Sequence, residues 1–184
     1  MANVDIYDAA MKGDLKDLKK FYKKTFLKKD INSFQSSGVN LLCYSMYDIS
    51  DENKIEKIRL IEYLIEEGID VNFQTRKSRR NALHFFYFNE FQPPVDFENW
   101  ITELLIKKGI DVNCEDEYEA IPMKYAITNN NLSMEDNELM YKMLLDAGSD
   151  YTHKDKFGKS CIDYAKEYSW RSGVLELIKE ANDK

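Results

Sequence analysis

Few residues in this chain have the types and spacing that chemistry requires. The only histidines, His84 and His153, belong to no HExxH or HxxxH pair. Cys43, Cys114 and Cys161 are odd in number and form no CxxC, so neither a disulfide framework nor a structural zinc site is expected. Cys43 and His84 together would supply only half of the four ligands that such a zinc needs. There is no glycine-rich phosphate loop and no GxSxG elbow. The many carboxylates fall in loops and on faces that read as solvated. The expectation is a protein without catalytic residues, cofactor or metal.

Surface recognition chemistry is better represented. Three connecting segments carry dense and alternating charge: FQTRKSRRN with Arg76, Lys77, Arg79 and Arg80, then CEDEYEA with Glu115, Asp116, Glu117 and Glu119, then HKDKFGK with Lys154, Lys156 and Lys159. Alternation of sign suits a protein partner, whose register it fixes by pairing and repulsion. Nucleic acid would favour one sign, and the formal charge of −7 argues against broad phosphate binding. Solvated loops carry such runs as well. The alternative function is nucleic-acid binding through the basic segment Arg76 to Arg80.

These segments are positioned by a repeated phrase. EEGIDVN spans Glu66 to Asn72, KKGIDVN spans Lys107 to Asn113, and DAGSDYT spans Asp146 to Thr152. Each follows an amphipathic run, LIEYLIEEG, ITELLIKKG or MYKMLLDAG, that places apolar residues three and four apart before a stopping glycine. The glycines Gly68, Gly109 and Gly148 are 41 and 39 residues apart, a period that means stacked helical units. Glycine there supplies a positive φ at the helix end, and the Asp and Asn that follow lead the chain into a turn.

The composition, 43% hydrophobic and 32% charged in 184 residues, is that of a folded domain with seven glycines and three prolines to punctuate it. No apolar run is long enough to span a membrane and the N-terminus does not read as a signal peptide, so the expected location is cytoplasmic. The expected state is a monomer of one all-α domain in five units, approximately 4–34, 35–74, 75–115, 116–154 and 155–184. In the first, Ile6, Ala9 and Ala10 share a short helical face, Gly13 turns the chain, and Leu15, Leu18 and Phe21 or Tyr22 begin a second helix. Its exit, DINSFQSSG, echoes the phrase through Ile31 and Asn32. The second unit has a long helix from near Lys54 with Ile58, Ile61, Leu64 and Ile65 as its inner stripe. The third and fourth pair NALHFFYF with ENWITELLIKKG and AIPMKYAI with NELMYKMLLDAG, and the fifth pairs DKFGKSCIDYAKEY with SGVLELIKEAND.

Across roughly Asp5 to Ala181 this pattern resembles an ankyrin-repeat protein, whose unit is a β-turn and two helices with a Thr-Pro-Leu-His-x-Ala signature. Asp155, Gly158, Ser160, Ile162 and Ala165 match in the fifth unit, Leu83 and His84 in the third, and Pro122, Met123 and Ala126 in the fourth. The second keeps Gly38, Leu42 and Ser45, and the first keeps Ile6, Ala9, Ala10 and Gly13. Units two to four run near 40 residues against about 33 in the family. The excess falls in YDISDENK, YFNEFQPPVD and TNNNLSMED, expected as long loops opposite the inter-repeat turns. A HEAT-like array is the alternative fold, but it has no need of an Asp-x-x-Gly turn together with the Gly-Ile-Asp-Val-Asn exit. Small residues at Ala9, Ser45, Ala126 and Ala165 allow close stacking, and the polar outer faces of the first and last units read as caps.

The resemblance implies an all-α solenoid whose β-turn fingers carry the charged segments, with a concave face built from finger tips and short helices. It implies that the His84 imidazole bonds backbone. It places Tyr47, Phe88, Tyr118, Phe157 and Tyr168 on the concave side or the tips beside Arg76, Lys77, Arg79, Arg80, Glu117 and Lys156, aromatic and arginine residues being frequent anchors. Phe85 and Phe86 are expected in the core. By analogy, small proteins of this kind act as immunity proteins that neutralise toxins, or as effectors and adaptors.

Overall fold

The computed structural model describes residues 5–24, 30–32, 38–89 and 93–183. Five short helices, α1 (Ile6–Lys12), α3 (Leu41–Ser45), α5 (Ala82–Tyr87), α7 (Pro122–Thr128) and α9 (Cys161–Glu167), alternate with five longer ones. The longer ones are α2 (Leu15–Lys24), α4 (Lys54–Glu66), α6 (Val95–Lys107), α8 (Met134–Asp146) and α10 (Ser172–Asn182), and a 3-10 turn at Ser169–Arg171 precedes α10. Short helices pack in sequence, α1 on α3, α3 on α5, α5 on α7 and α7 on α9, while α6 packs on α8 and α8 on α10. The described residues contain no strand. The expected all-α solenoid of paired helices is observed.

The repeated glycine phrase stops each long helix in the same way. Gly68, Gly109 and Gly148 have φ near the left-handed region at 83°, 81° and 85°. The next amide reaches back to the last turn, Ile69 N to Leu64 O, Ile110 N to Leu105 O and Ser149 N to Leu144 O, each at 3.0 Å. This six-to-one closure satisfies carbonyls that the helix end would otherwise leave bare, and it presses Ile69 and Ile110 into the core.

The asparagine that ends the phrase is a clamp between units. Asn72 accepts from Asp111 N at 2.7 Å and donates to Gly109 O at 2.8 Å. Asn113 does the same to Asp150 N and Gly148 O at 2.7 and 2.9 Å, and Asn32 to Asp70 N and Gly68 O at 2.6 and 3.1 Å. Each asparagine thus binds the phrase of the following unit. Thr152, in the last copy, turns its hydroxyl back onto Asp150 of its own unit. The echo seen in Ile31 and Asn32 is therefore functional in the stack; residues 33–37 of that exit lie outside the described residues.

Two cations form part of the core. The aliphatic stripe of α4 is Leu60, Ile61 and Leu64 together with Lys57, while Ile58 and Ile65 are only half-buried, a shift from the expected face. Lys57 is accommodated because its ammonium donates to the carbonyls of Ala10, Met11, Ser45 and Tyr47 at the ends of α1 and α3. Arg171 plays the same part farther along, donating to the carbonyls of Ile127, Asn130 and Leu132. Helix C-terminal carbonyls carry partial negative charge and need donors, which a buried cation supplies. The loop at Asn129–Ser133 is held by Arg171 and by Asn130, which donates to the buried Glu98 at 2.7 Å and to Asn137 at 2.9 Å. Residues 90–92 of the neighbouring loop lie outside the described residues, but Asn89 donates to Met46 O at 2.5 Å and joins the second loop to the third.

Candidate protein-binding face

The connections from α4 to α5, from α6 to α7 and from α8 to α9 form a row of tight turns. Each closes on itself, Thr75 N to Arg80 O at 3.0 Å, Asp116 N to Ala120 O at 3.1 Å and Asp155 N to Lys159 O at 3.0 Å. Neighbouring turns are also bonded, Glu117 N to Ser78 O at 2.8 Å and Lys156 N to Tyr118 O at 2.9 Å. Two residues before each helix cap the chain takes a positive φ, at Gly38, Arg79, Glu119 and Gly158. At Arg79 and Glu119 a side chain occupies a conformation that costs about 1 kcal/mol or more without glycine.

An aspartate-tyrosine strut anchors the fourth and fifth turns to their helices. Asp116 accepts from the amides of Tyr118 and Ala120 through one oxygen and from Tyr125 Oη at 2.6 Å through the other. Asp155 repeats this with Phe157 N, Lys159 N and Tyr164 Oη, the last at 2.6 Å. Burial opposes the charge of Asp116, but the Tyr125 hydroxyl, the two amides and nearby His84 outweigh it and hold its pKa below the ordinary value. The same hydroxyl bond, added to burial, raises the tyrosines. In the third turn Thr75 stands where the aspartate would, bonding Ser78 Oγ and Arg80 N.

The histidine expected to bond backbone does so. His84 is buried, with Nδ1 on Asn81 and Nε2 2.9 Å from Ala120 O of the next unit. Burial pushes its pKa down to about 4, so the ring is neutral at physiological pH. His153 lies 2.8 Å from Glu119 O and 3.6 Å from Glu115. The cysteines are buried thiols, with burial raising Cys114 to about 11 and Cys161 to about 12. Among the described residues no three His, Cys, Asp or Glu side chains converge as a metal site, and no helix is long and apolar enough to cross a membrane.

The residues singled out from sequence divide into groups. Arg80 is largely withdrawn from solvent, with Nε 3.3 Å from Asp116 and its guanidinium 3.8 Å from the centroid of the Phe88 ring. It is a strut between the third and fourth turns, so part of the charge alternation serves the stack itself. Arg76, Lys77, Arg79, Glu117 and Lys156, on the same three turns, are exposed. Tyr118 and Phe157, on adjacent turns, stack at 6.2 Å and 22° and remain 41% and 66% exposed. Phe88 is exposed above Tyr125, edge to face at 5.4 Å. Tyr47 is half-buried against Tyr44 and Phe85, and Tyr168 lies at the other end of the stack against the exposed Trp170. Phe86 is in the core as expected, whereas Phe85, at the position of α5 that Tyr125 has in α7, is half-buried with its ring against Tyr47.

Sequence reasoning passed over Lys124, Tyr125 and Tyr164. Their signal was available: Asp116 and Tyr125 are spaced as Asp155 and Tyr164 are, nine residues apart. Lys124 lies on this face with its ammonium 4.1 Å from the Tyr125 ring centroid and 5.4 Å from that of Tyr164. At the N-terminal end of the stack a cleft of about 980 Å³ is lined mainly by cations, Lys12, Lys16, Lys19, Lys20, Lys23 and Arg59, with Asp14 and Glu56 among them.

No protein-family model matches the chain. A probable serine/threonine-protein kinase from Dictyostelium discoideum is 31% identical to it over 126 residues, 68% of this chain. The chain spans 13% of the length of that relative. What these findings and the packing of the helices establish together is an all-helical, repeat-like domain.

Proposed function

We propose that the chain is an ankyrin-type, non-catalytic protein-binding module that works in the cytoplasm. It engages one protein partner through the turns and the exposed face of the short helices. The observation that carries this reading is the stacked pair Tyr118 and Phe157, two large aromatic side chains left in water at adjacent turn tips. Exposed aromatics on a rigid support are frequent binding anchors, since little conformational entropy is lost when they are covered. The support here is a hydrogen-bonded row of turns, and the positive φ at Arg79 and Glu119 keeps charged side chains where glycine would be easier.

The ankyrin assignment draws on the helix pairs, the turn geometry and His84 bonded across to the next unit. The matched relative supports it in one respect: 126 residues is the size of three or four repeats and a small fraction of that protein, as a shared recognition module would be. Within this reading, the role that fits an acidic protein of net charge −7 is that of an inhibitor or immunity protein occluding a partner of net positive charge, such as a toxin, whatever the sign of the individual segments that it presents.

The test is affinity capture from the native cell with tagged protein, followed by calorimetry with the purified partner. Replacing Tyr118 and Phe157 together by Ala should weaken binding by about a hundredfold, the loss of two anchors of roughly 1–2 kcal/mol each. Leu139→Ala, at an exposed position of the long helix α8, should leave it unchanged. A partner held equally well by the double variant overturns the reading. Co-expression with a captured toxin tests the inhibitor role, and growth that is never rescued sinks it.

A further inference from the structure

We propose that Lys124 is the anchoring cation of a subsite for a single carboxylate, carried by an acidic segment of the protein partner that also places an apolar side chain on Tyr118 and Phe157. This rests on the protein-binding reading above. Three cations lie over the rings of Tyr125 and Tyr164, namely Arg80, Lys124 and Lys159, and two already have carboxylates: Arg80 is paired with Asp116 at 3.3 Å and Lys159 with Glu167 at 2.7 Å. Among the described residues, Lys124 Nζ makes no hydrogen bond and no ion pair, and the faces of Tyr125 and Tyr164 flank it, with Asp155 and Asp116 acting on it only at longer range. An ammonium carries three donor hydrogens and ring faces satisfy them poorly.

The carboxylates nearby cannot turn to it. Asp116 and Asp155 have both oxygens committed to turn amides and to Tyr125 or Tyr164. Asp163, at the same position of α9 that Lys124 has in α7, closes a capping box with Ser160. Lys124 is also half-buried, and burial lowers its pKa, so an incoming carboxylate meets a cation already partly stripped of water. The pair so formed is stronger than one on an open surface.

The chemistry of the surroundings selects the ligand. A phosphate dianion needs more than one free cation, whereas the other two cations over these rings, Arg80 and Lys159, are neutralised by Asp116 and Glu167, and Asp155 adds a negative charge of its own. A nucleic-acid backbone would require a row of such cations. One carboxylate matches one ammonium. The aromatic anchor lies close by, because Asp116 bonds Tyr118 N through one oxygen and Tyr125, the residue after Lys124, through the other.

The experiment is selection of phage-displayed random dodecapeptides on the immobilised 184-residue chain, followed by fluorescence anisotropy with the amidated synthetic peptides. Enriched sequences should hold an Asp or Glu within a few residues of an aromatic or aliphatic side chain. Lys124→Met should weaken the peptide about tenfold or more, the loss of a charge-assisted hydrogen bond, with Lys124→Arg close to wild type. Changing the peptide's acidic residue to its amide should cost as much on wild type and nothing further on Lys124→Met. Thermal melting confirms that the variants fold. The inference is overturned if acidic residues are not enriched, if Lys124→Met binds as wild type does, or if a phosphoserine in place of the Asp binds tenfold tighter. It is also overturned if a single-stranded oligonucleotide displaces the peptide at moderate salt. Peptides that need Tyr118 and Phe157 but ignore Lys124 would remove this subsite and leave the protein-binding reading intact.

Discussion

Replacing Asn113 by Ala tests how the stack is held together. The change removes two hydrogen bonds between the fourth unit and its predecessor, to Asp150 N at 2.7 Å and Gly148 O at 2.9 Å. A neutral hydrogen bond contributes a net of about 0.5–1.5 kcal/mol, which bounds the pair at about 1–3 kcal/mol. Gly148 and Asp150 are exposed, so water replaces the lost partners and the lower half of that range, about 1–2 kcal/mol, is expected. Asn72→Ala should cost the same, for Asn72 makes the same two bonds to Gly109 and Asp111. Thr152→Ala is the internal control: it occupies the same place in the phrase but bonds only Asp150 of its own unit, so the cost should stay within about 0.5 kcal/mol. Urea denaturation followed by circular dichroism measures all three, with the slope reported because loss of coupling between units broadens the transition. Asn113→Ala within experimental error of wild type, or Thr152→Ala equally costly, would refute the clamp.

Two further outcomes concern buried polar groups. Glu98 is 1% exposed, with one oxygen on Asn130 and the other without a hydrogen-bond partner, and burial raises its pKa from 4.5 to about 7 despite Arg171 nearby. The native state therefore takes up this proton before the unfolded chain does, so its contribution is complete below about pH 4.5 and is lost as pH rises through about 7, a change of about 3 kcal/mol. Glu98→Gln should match wild type at about pH 4 and exceed it by about 3 kcal/mol at about pH 8 in thermal or urea melts, whereas a difference independent of pH would refute the assignment. Arg171→Met should destabilise by about 3 kcal/mol, since the carbonyls of Ile127, Asn130 and Leu132 lose a charged donor; a melting temperature unchanged from wild type would show that water serves them as well.

What the sequence made legible was whatever each residue does within its own unit. The glycine stops were readable because a positive φ at a helix end has a strong residue preference, and His84 because its neighbours form a signature. The Asn of the same phrase was read only as a turn residue: its partners are backbone groups one unit away, and backbone carries no mark in sequence. Lys57 and Arg171 were hidden for the same reason. A cation on a helix reads as solvent-facing until the carbonyls that surround it are known. Arg80 looked like one more charge in a basic segment, and only the third dimension set Asp116 beside it and Phe88 beneath it. Lys124 was passed over because it stands inside the signature of the fourth unit, between Met123 and Ala126, where the residues read as scaffold.

The central claim is that the turns and the short-helix face receive the partner. Hydrogen-deuterium exchange of the free protein and of its complex with the captured partner tests this most directly. The account predicts added protection in the turns at 75–80, 115–120 and 154–159 and in α5 and α7, with none on the outer positions of α4, α6 and α8. Protection confined to those long helices, or to the basic cleft beside α2, would contradict it.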